Sequence, residues 1–153
     1  MKLSCDVIHA LEGRTLVTAE SCTGGGIGAA LTAVPGSSEV YKGGIISYTN
    51  EVKKSLLGVS REVLERYGAV SAPVVEAMAI GARERLCADI AVSVTGLAGP
   101  GGDDYGNPVG TVYIGYTDAS KTVSTEFHFS GDREAVRAAA IRAALEFVLQ
   151  EFV

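Results

Sequence analysis

The stretch from Thr15 to Gly26 constrains this chain more than any other. A short apolar run, Thr15 to Ala19, meets the polar and glycine-rich Glu20-Ser21-Cys22-Thr23-Gly24-Gly25-Gly26, and a helical pattern with Ile27, Leu31 and Val34 as its stripe follows. Strand, tight turn and helix in that order form the unit of an open α/β sheet. Such sheets gather ligands at the carboxyl ends of their strands, where a helix start offers free N–H groups and the positive end of its dipole. Ser21 stands where a nucleophile would stand. A plain strand-to-helix turn fits the local spacing equally well, and the neighbouring Cys22 is a second candidate nucleophile.

The remaining pattern extends the same architecture. Leu3, Val7 and Leu11, four apart, predict a short leading helix closed by Gly13. Pro35-Gly36-Ser37-Ser38 stops the helix after the glycine turn, and Tyr41 to Tyr48 is a second strand. Thr49 or Asn50 caps a helix that ends at Leu56-Leu57-Gly58 and carries Lys53 in its first turn. The helix dipole disfavours a cation there and burial disfavours it further, so a neutral, base-competent lysine is physically reasonable; a solvated lysine is the plain alternative. Arg61 to Tyr67 forms another short helix. Ser71 ahead of Pro73 starts the next, with Val75, Met78, Ala79, Ala82 and Leu86 as its core face.

Ile90 to Val94 is apolar enough for a strand buried on both faces, and a long glycine-rich loop, Thr95 to Pro108, follows. A loop of that length in a compact domain is functional or disordered. Val109 to Thr117 and Thr122 to Phe129 read as a hairpin around Asp118 to Lys121, and the final helix opens at Gly131-Asp132-Arg133 and buries Val136, Ala140, Ala143 and Phe147. Arg133 and Arg137 in its first turns oppose the dipole unless an anion lies near, or unless Glu134 offsets them. The expected fold is a single α/β domain over 1–153, with a mixed five-stranded sheet, one antiparallel strand in the C-terminal hairpin, and helices on both faces.

Composition narrows the function classes. With 47% apolar and 20% charged residues the 153-residue chain can bury a real core, and its net charge of −5 without a basic run argues against a nucleic-acid or anionic-membrane partner. Neither a signal-peptide pattern nor an apolar run of about 18 residues is present, so a soluble cytoplasmic protein is the expectation. Three cysteines without C-x-x-C spacing suggest neither disulfides nor zinc, and Cys5 and Cys87 read as packing residues. His9 and His128 lie in no metal or triad context, and no metal or cofactor is expected.

Four motifs occur in order: Ala19-Glu20-Ser21-Cys22-Thr23-Gly24-Gly25, Tyr48-Thr49-Asn50-Glu51-Val52-Lys53, Val94-Thr95-Gly96-Leu97-Ala98-Gly99-Pro100-Gly101-Gly102, and Gly131-Asp132-Arg133. Together they closely resemble the CinA C-terminal domain family, also called the PncC family, over nearly the whole chain. The resemblance implies a three-layer α/β/α sandwich and, since members include nicotinamide mononucleotide (NMN) deamidases, hydrolysis of the NMN carboxamide to nicotinate mononucleotide and ammonia. Members that carry a further N-terminal domain have activities not to be transferred to this chain.

Amide hydrolysis without metal needs a nucleophile, a base, an acid for the leaving ammonia and oxyanion donors. The resemblance implies Ser21 as nucleophile, Lys53 as base, and Tyr48 to pass a proton or orient the lysine. Amides around Thr23, Gly24 and Gly25 serve the oxyanion, Thr95, Gly96 and Gly99 line the nucleotide pocket, and Arg133 or Arg137 holds the phosphate. A homodimer is a further expectation. Two other readings compete. Gly24-x-Gly26-x-x-Ala29, with Glu51 downstream, formally fits a dinucleotide fingerprint and an oxidoreductase, against which stand the polar residues before it and the lack of a second βαβαβ half. A non-catalytic nucleotide-binding module would keep the pocket without turnover.

Overall fold

The structure is a computed structural model that describes residues 1–152. Its elements are α1 (Lys2–Ala10), β1 (Leu16–Glu20), α2 (Gly26–Thr32), β2 (Tyr41–Ile46), α3 (Asn50–Leu57), α4 (Arg61–Tyr67), α5 (Ala72–Arg85), β3 (Ile90–Gly96), β4 (Thr111–Thr117), β5 (Thr122–His128) and α6 (Arg133–Glu151). The strands form one sheet in the order β2-β1-β3-β4-β5. β1 runs parallel to both β2 and β3, and β4 is antiparallel to β3 and β5. The sheet is therefore mixed, with β4 its one reversed strand, as the sequence predicts.

Helices cover both faces. On one side α1, α2 and α6 bury Val7, Leu11, Ile27, Leu31, Val136 and Ala140 against Leu16, Val92 and Ile114. On the other, α3, α4 and α5 bury Leu57, Leu64, Val74 and Met78 against Val17, Ala19 and Ala91. Strand pleating explains this division, since alternate residues of β1 point to opposite layers. β1 and β3, central in the sheet, are buried along both faces.

Several local expectations are corrected. Cys5 and Cys87 are exposed and not packing residues. α1 buries Ser4, Val7 and Ile8, and at 100° per residue Cys5 faces away from Val7. Cys87 follows the end of α5 with φ of 51°, in a left-handed turn that carries it off the core. Ala144, not Ala143, is the buried alanine of that α6 turn. The hairpin starts at Thr111, not Val109, because Gly110 at φ of 93° breaks the extended chain. A 3₁₀ turn at Ser37–Glu39, which the sequence does not announce, precedes β2.

One helix contact has no slack. A Cβ on Gly81 of α5 would fall on the Leu57 carbonyl at the end of α3, so a glycine lets the two helices meet backbone to side. The position of α3 against α5 is set there.

Candidate active site

Every expected functional segment begins where β1, β2 or β3 ends, or at the start of α6. β1 delivers Ser21, whose amide donates to Val94 O of β3 at 3.1 Å. The turn beyond it is closed by Gly24 N to Ser21 O (3.0 Å) and Gly26 N to Thr23 O (2.9 Å). Gly24 and Gly25 have φ of 58° and 100°, values a side chain disfavours, and Gly25 is the N-cap of α2.

Beside the turn lies a buried carboxylate. Glu20 is 2% exposed. Its Oε1 accepts from Thr23 Oγ1 at 2.7 Å and Ile27 N at 2.8 Å, and its Oε2 accepts from Gly28 N at 3.0 Å. Two orphan amides of the α2 start are thereby satisfied, and the anion lies at the positive end of the helix. Glu20 carries no candidate role in the sequence. The available signal was a carboxylate at the end of an otherwise uncharged strand.

Lys53 comes from α3, whose N-cap Thr49 accepts from Val52 N at 3.3 Å through its hydroxyl. Only 1% of Lys53 is exposed. Its Nζ donates to Ser21 Oγ at 3.0 Å, to Ser47 O at 2.8 Å and to Tyr48 O at 3.4 Å. It makes no ion pair among the described residues. Burial lowers its pKa from the usual lysine value to about 8. In the neutral amine two hydrogens stay on the two carbonyls, and the lone pair is left facing the Ser21 hydroxyl. Ser47 in turn is fixed by its amide donating to Glu20 O at 2.7 Å. Sequence reasoning misses Ser47 because it acts through its main chain. Burial raises the Cys22 thiol to about 11, so near neutral pH it is no thiolate.

Tyr48 is exposed, and its hydroxyl faces away from the lysine: it accepts from Arg133 Nη2 at 2.9 Å. Arg133 Nη1 donates to Gly99 O at 2.6 Å. Since β2 and β3 flank β1, this guanidinium joins the segments on either side of the strand that carries Ser21. Arg137 sits one helical turn on and points at the turn after Ser21, Nε donating to Cys22 O at 3.0 Å and Nη2 to Thr23 O at 3.2 Å. Thr95 is buried with its hydroxyl donating to Ala69 O at 2.8 Å. Gly96 closes β3, and a Cβ there would meet the Val112 side chain. The glycine loop is ordered by Asp103, which accepts from Tyr105 N and Asn107 N at 3.0 Å each, and by Tyr105 Oη donating to Glu65 O at 2.7 Å. Among the described residues no three His, Cys, Asp or Glu side chains cluster as a metal site requires.

Comparison with known proteins identifies the family. The sequence model of the CinA C-terminal domain matches residues 2–152. A CinA-like protein of Thermosynechococcus vestitus is 55% identical over 121 residues, 78% of this chain and 29% of that protein. CinA-like proteins of this kind are matched over 24% to 35% of their length, so the chain spans only a part of them. The nicotinamide-nucleotide amidohydrolase PncC of Escherichia coli K12 is 45% identical over 156 residues, covering 100% of this chain and 94% of that one. The crystal structure of competence damage-inducible protein A from Klebsiella pneumoniae superposes with a TM-score of 0.96 at 38% identity, covering 99% of this chain and 95% of that chain. The chain belongs to the CinA C-terminal domain family.

Proposed function

We propose that the chain is an amidohydrolase that converts NMN to nicotinate mononucleotide and ammonia in pyridine nucleotide salvage, with Ser21 as nucleophile and Lys53 as base. The observation that carries this reading is the 3.0 Å contact between Ser21 Oγ and a buried lysine amine with no carboxylate partner among the described residues. The name of the Escherichia coli relative supports the substrate.

Neutral Lys53 takes the hydroxyl proton as Ser21 Oγ bonds to the carboxamide carbon. Of the turn amides expected to serve the oxyanion, that of Gly24 is taken by Ser21 O, while those of Thr23 and Gly25 donate to nothing else among the described residues and supply the oxyanion site. Lys53 then gives its proton to the leaving nitrogen, and the carbon–nitrogen bond breaks with release of ammonia. Water attacks the acyl-enzyme and loses a proton to Lys53, and as the carbon–oxygen bond to Ser21 breaks Lys53 returns that proton to Ser21 Oγ, which restores the hydroxyl and the neutral amine and frees the acid. Tyr48 orients the lysine through its carbonyl. Arg133 exchanges Gly99 O and Tyr48 Oη for the substrate phosphate, while Thr95, Gly96 and Gly99 shape the wall behind the nucleotide. A homodimer is the assembly we expect, and a light-scattering mass equal to one chain would overturn that part.

Ammonia release from NMN by wild type, Ser21→Ala and Lys53→Ala, with chelator throughout, tests the reading. Turnover lost by at least about a hundredfold in both variants supports it. Binding of NMN without ammonia from folded wild type, unchanged in Ser21→Ala, would make the chain a nucleotide-binding module instead.

A further inference from the structure

A peptide unit is planar and trans, so its carbonyl and its N–H point in opposite directions. Cys22 C=O and Thr23 N–H belong to one such unit. Arg137 Nε donates to that carbonyl, which has no other partner among the described residues. The next carbonyl, of Thr23, is shared between Arg137 Nη2 and Gly26 N. One guanidinium from α6 therefore sets the plane of the Cys22–Thr23 unit and keeps the Thr23 N–H directed away from α6. Hydrogen bonds in series polarise one another, and a cationic donor on the carbonyl makes the N–H of the same unit a stronger donor.

The opposite side of the turn is held as firmly. Glu20 fixes the Thr23 hydroxyl and the start of α2, so the segment after Ser21 is gripped between an anion and a cation. Arg133 differs, being exposed and engaged at the rim with a hydroxyl and a loop carbonyl that a phosphate can replace. Four residues separate two arginines with separate tasks.

We infer that Arg137 is a positioning residue that orients and polarises the oxyanion donor Thr23 N–H, and not a ligand of the substrate phosphate. The inference rests on the serine hydrolase reading above.

The test uses the full chain as wild type, Arg137→Ala and Arg137→Lys, each checked for folding by its thermal transition. An alkyl fluorophosphonate forms a phosphorus–oxygen bond with Ser21 Oγ and expels fluoride, the hydroxyl proton passing to Lys53, and mass spectrometry follows the rate. Both variants are expected to label about tenfold to a hundredfold more slowly than wild type, the scale for a displaced catalytic geometry. Added guanidinium ion is expected to restore part of the rate in Arg137→Ala. In steady state, kcat falls with little change in KM for NMN, and the riboside lacking the phosphate loses by the same factor. Labelling at the wild-type rate in both folded variants overturns the inference, as does a loss confined to KM for the phosphorylated substrate. Wild type that labels at Ser21 yet releases no ammonia overturns the substrate reading alone, and the labelling rates still decide the role of Arg137. Wild type that does not label overturns both.

Discussion

Lys53 Nζ lies 3.0 Å from Ser21 Oγ, yet burial and not a neighbouring charge sets its basicity. With a pKa of about 8, the amine is partly deprotonated near neutral pH. The expected kcat/KM for NMN rises with pH through an apparent pKa near 8 and then levels, since only the free amine accepts the serine proton. Lys53→Arg should be inactive across the range, because a guanidinium keeps its proton. A pH–rate profile flat from pH 6 to about 9 would remove the lysine from this role.

The same shift has a stability consequence. The unfolded lysine titrates at 10.5 and the folded one at about 8, so between those values the unfolded chain binds more protons and stability rises with pH. Below pH 8 the full penalty of the buried cation applies, up to about 3 kcal/mol. Lys53→Met is expected to raise stability in urea unfolding at pH 7, and the gain should fade by about pH 10.5.

Arg133 and Tyr48 separate binding from chemistry. Arg133→Ala should raise KM for NMN roughly tenfold to a hundredfold with little effect on kcat, as expected for losing charge-assisted hydrogen bonds. Tyr48→Phe keeps the carbonyl that meets Lys53 and loses only the acceptor for Arg133, so KM should shift severalfold while kcat holds. A large fall in kcat for Tyr48→Phe in steady-state assays would place the hydroxyl in the proton path.

Glu20→Ala leaves Thr23 Oγ1, Ile27 N and Gly28 N without their acceptor at a buried position. The cost is about 3 kcal/mol or more, or roughly 6 to 12 °C in Tm for a chain of this size, measurable by calorimetry. Glu20→Gln should recover part of the loss, because its carbonyl oxygen can keep the Thr23 and Ile27 donors while its amide NH₂ has to face Gly28 N.

Gly81→Ala tests how remote packing sets the dyad. The added methyl group must push α3 from α5, and the expected cost is about 1 to 3 kcal/mol. Because Lys53 rides on α3, ammonia release should fall further than the residual folded fraction explains.

Much of this was legible in the sequence because it is local. Hydrophobic periodicity locates the helices and strands within a few residues, and a cap at Thr49 or Asn50 puts Lys53 in a first turn, the structure deciding for Thr49. What stayed hidden is long-range. Arg137 meets Cys22 O and Thr23 O across more than a hundred positions, and no spacing rule connects them. Glu20 reaches seven and eight residues forward to cap α2, outside any local capping pattern. Of the two arginines, sequence left the phosphate partner open; their hydrogen bonds give them different surroundings.

Ser21 and Lys53 both precede α4, whereas Arg133 and Arg137 belong to α6, which shares one face of the sheet with α1 and α2. During synthesis, which runs from the amino end, the proposed nucleophile and base thus leave the ribosome before the two arginines. The two halves of the proposed site are separated in time, and the guanidiniums proposed to orient and recognise join it only once α6 has emerged.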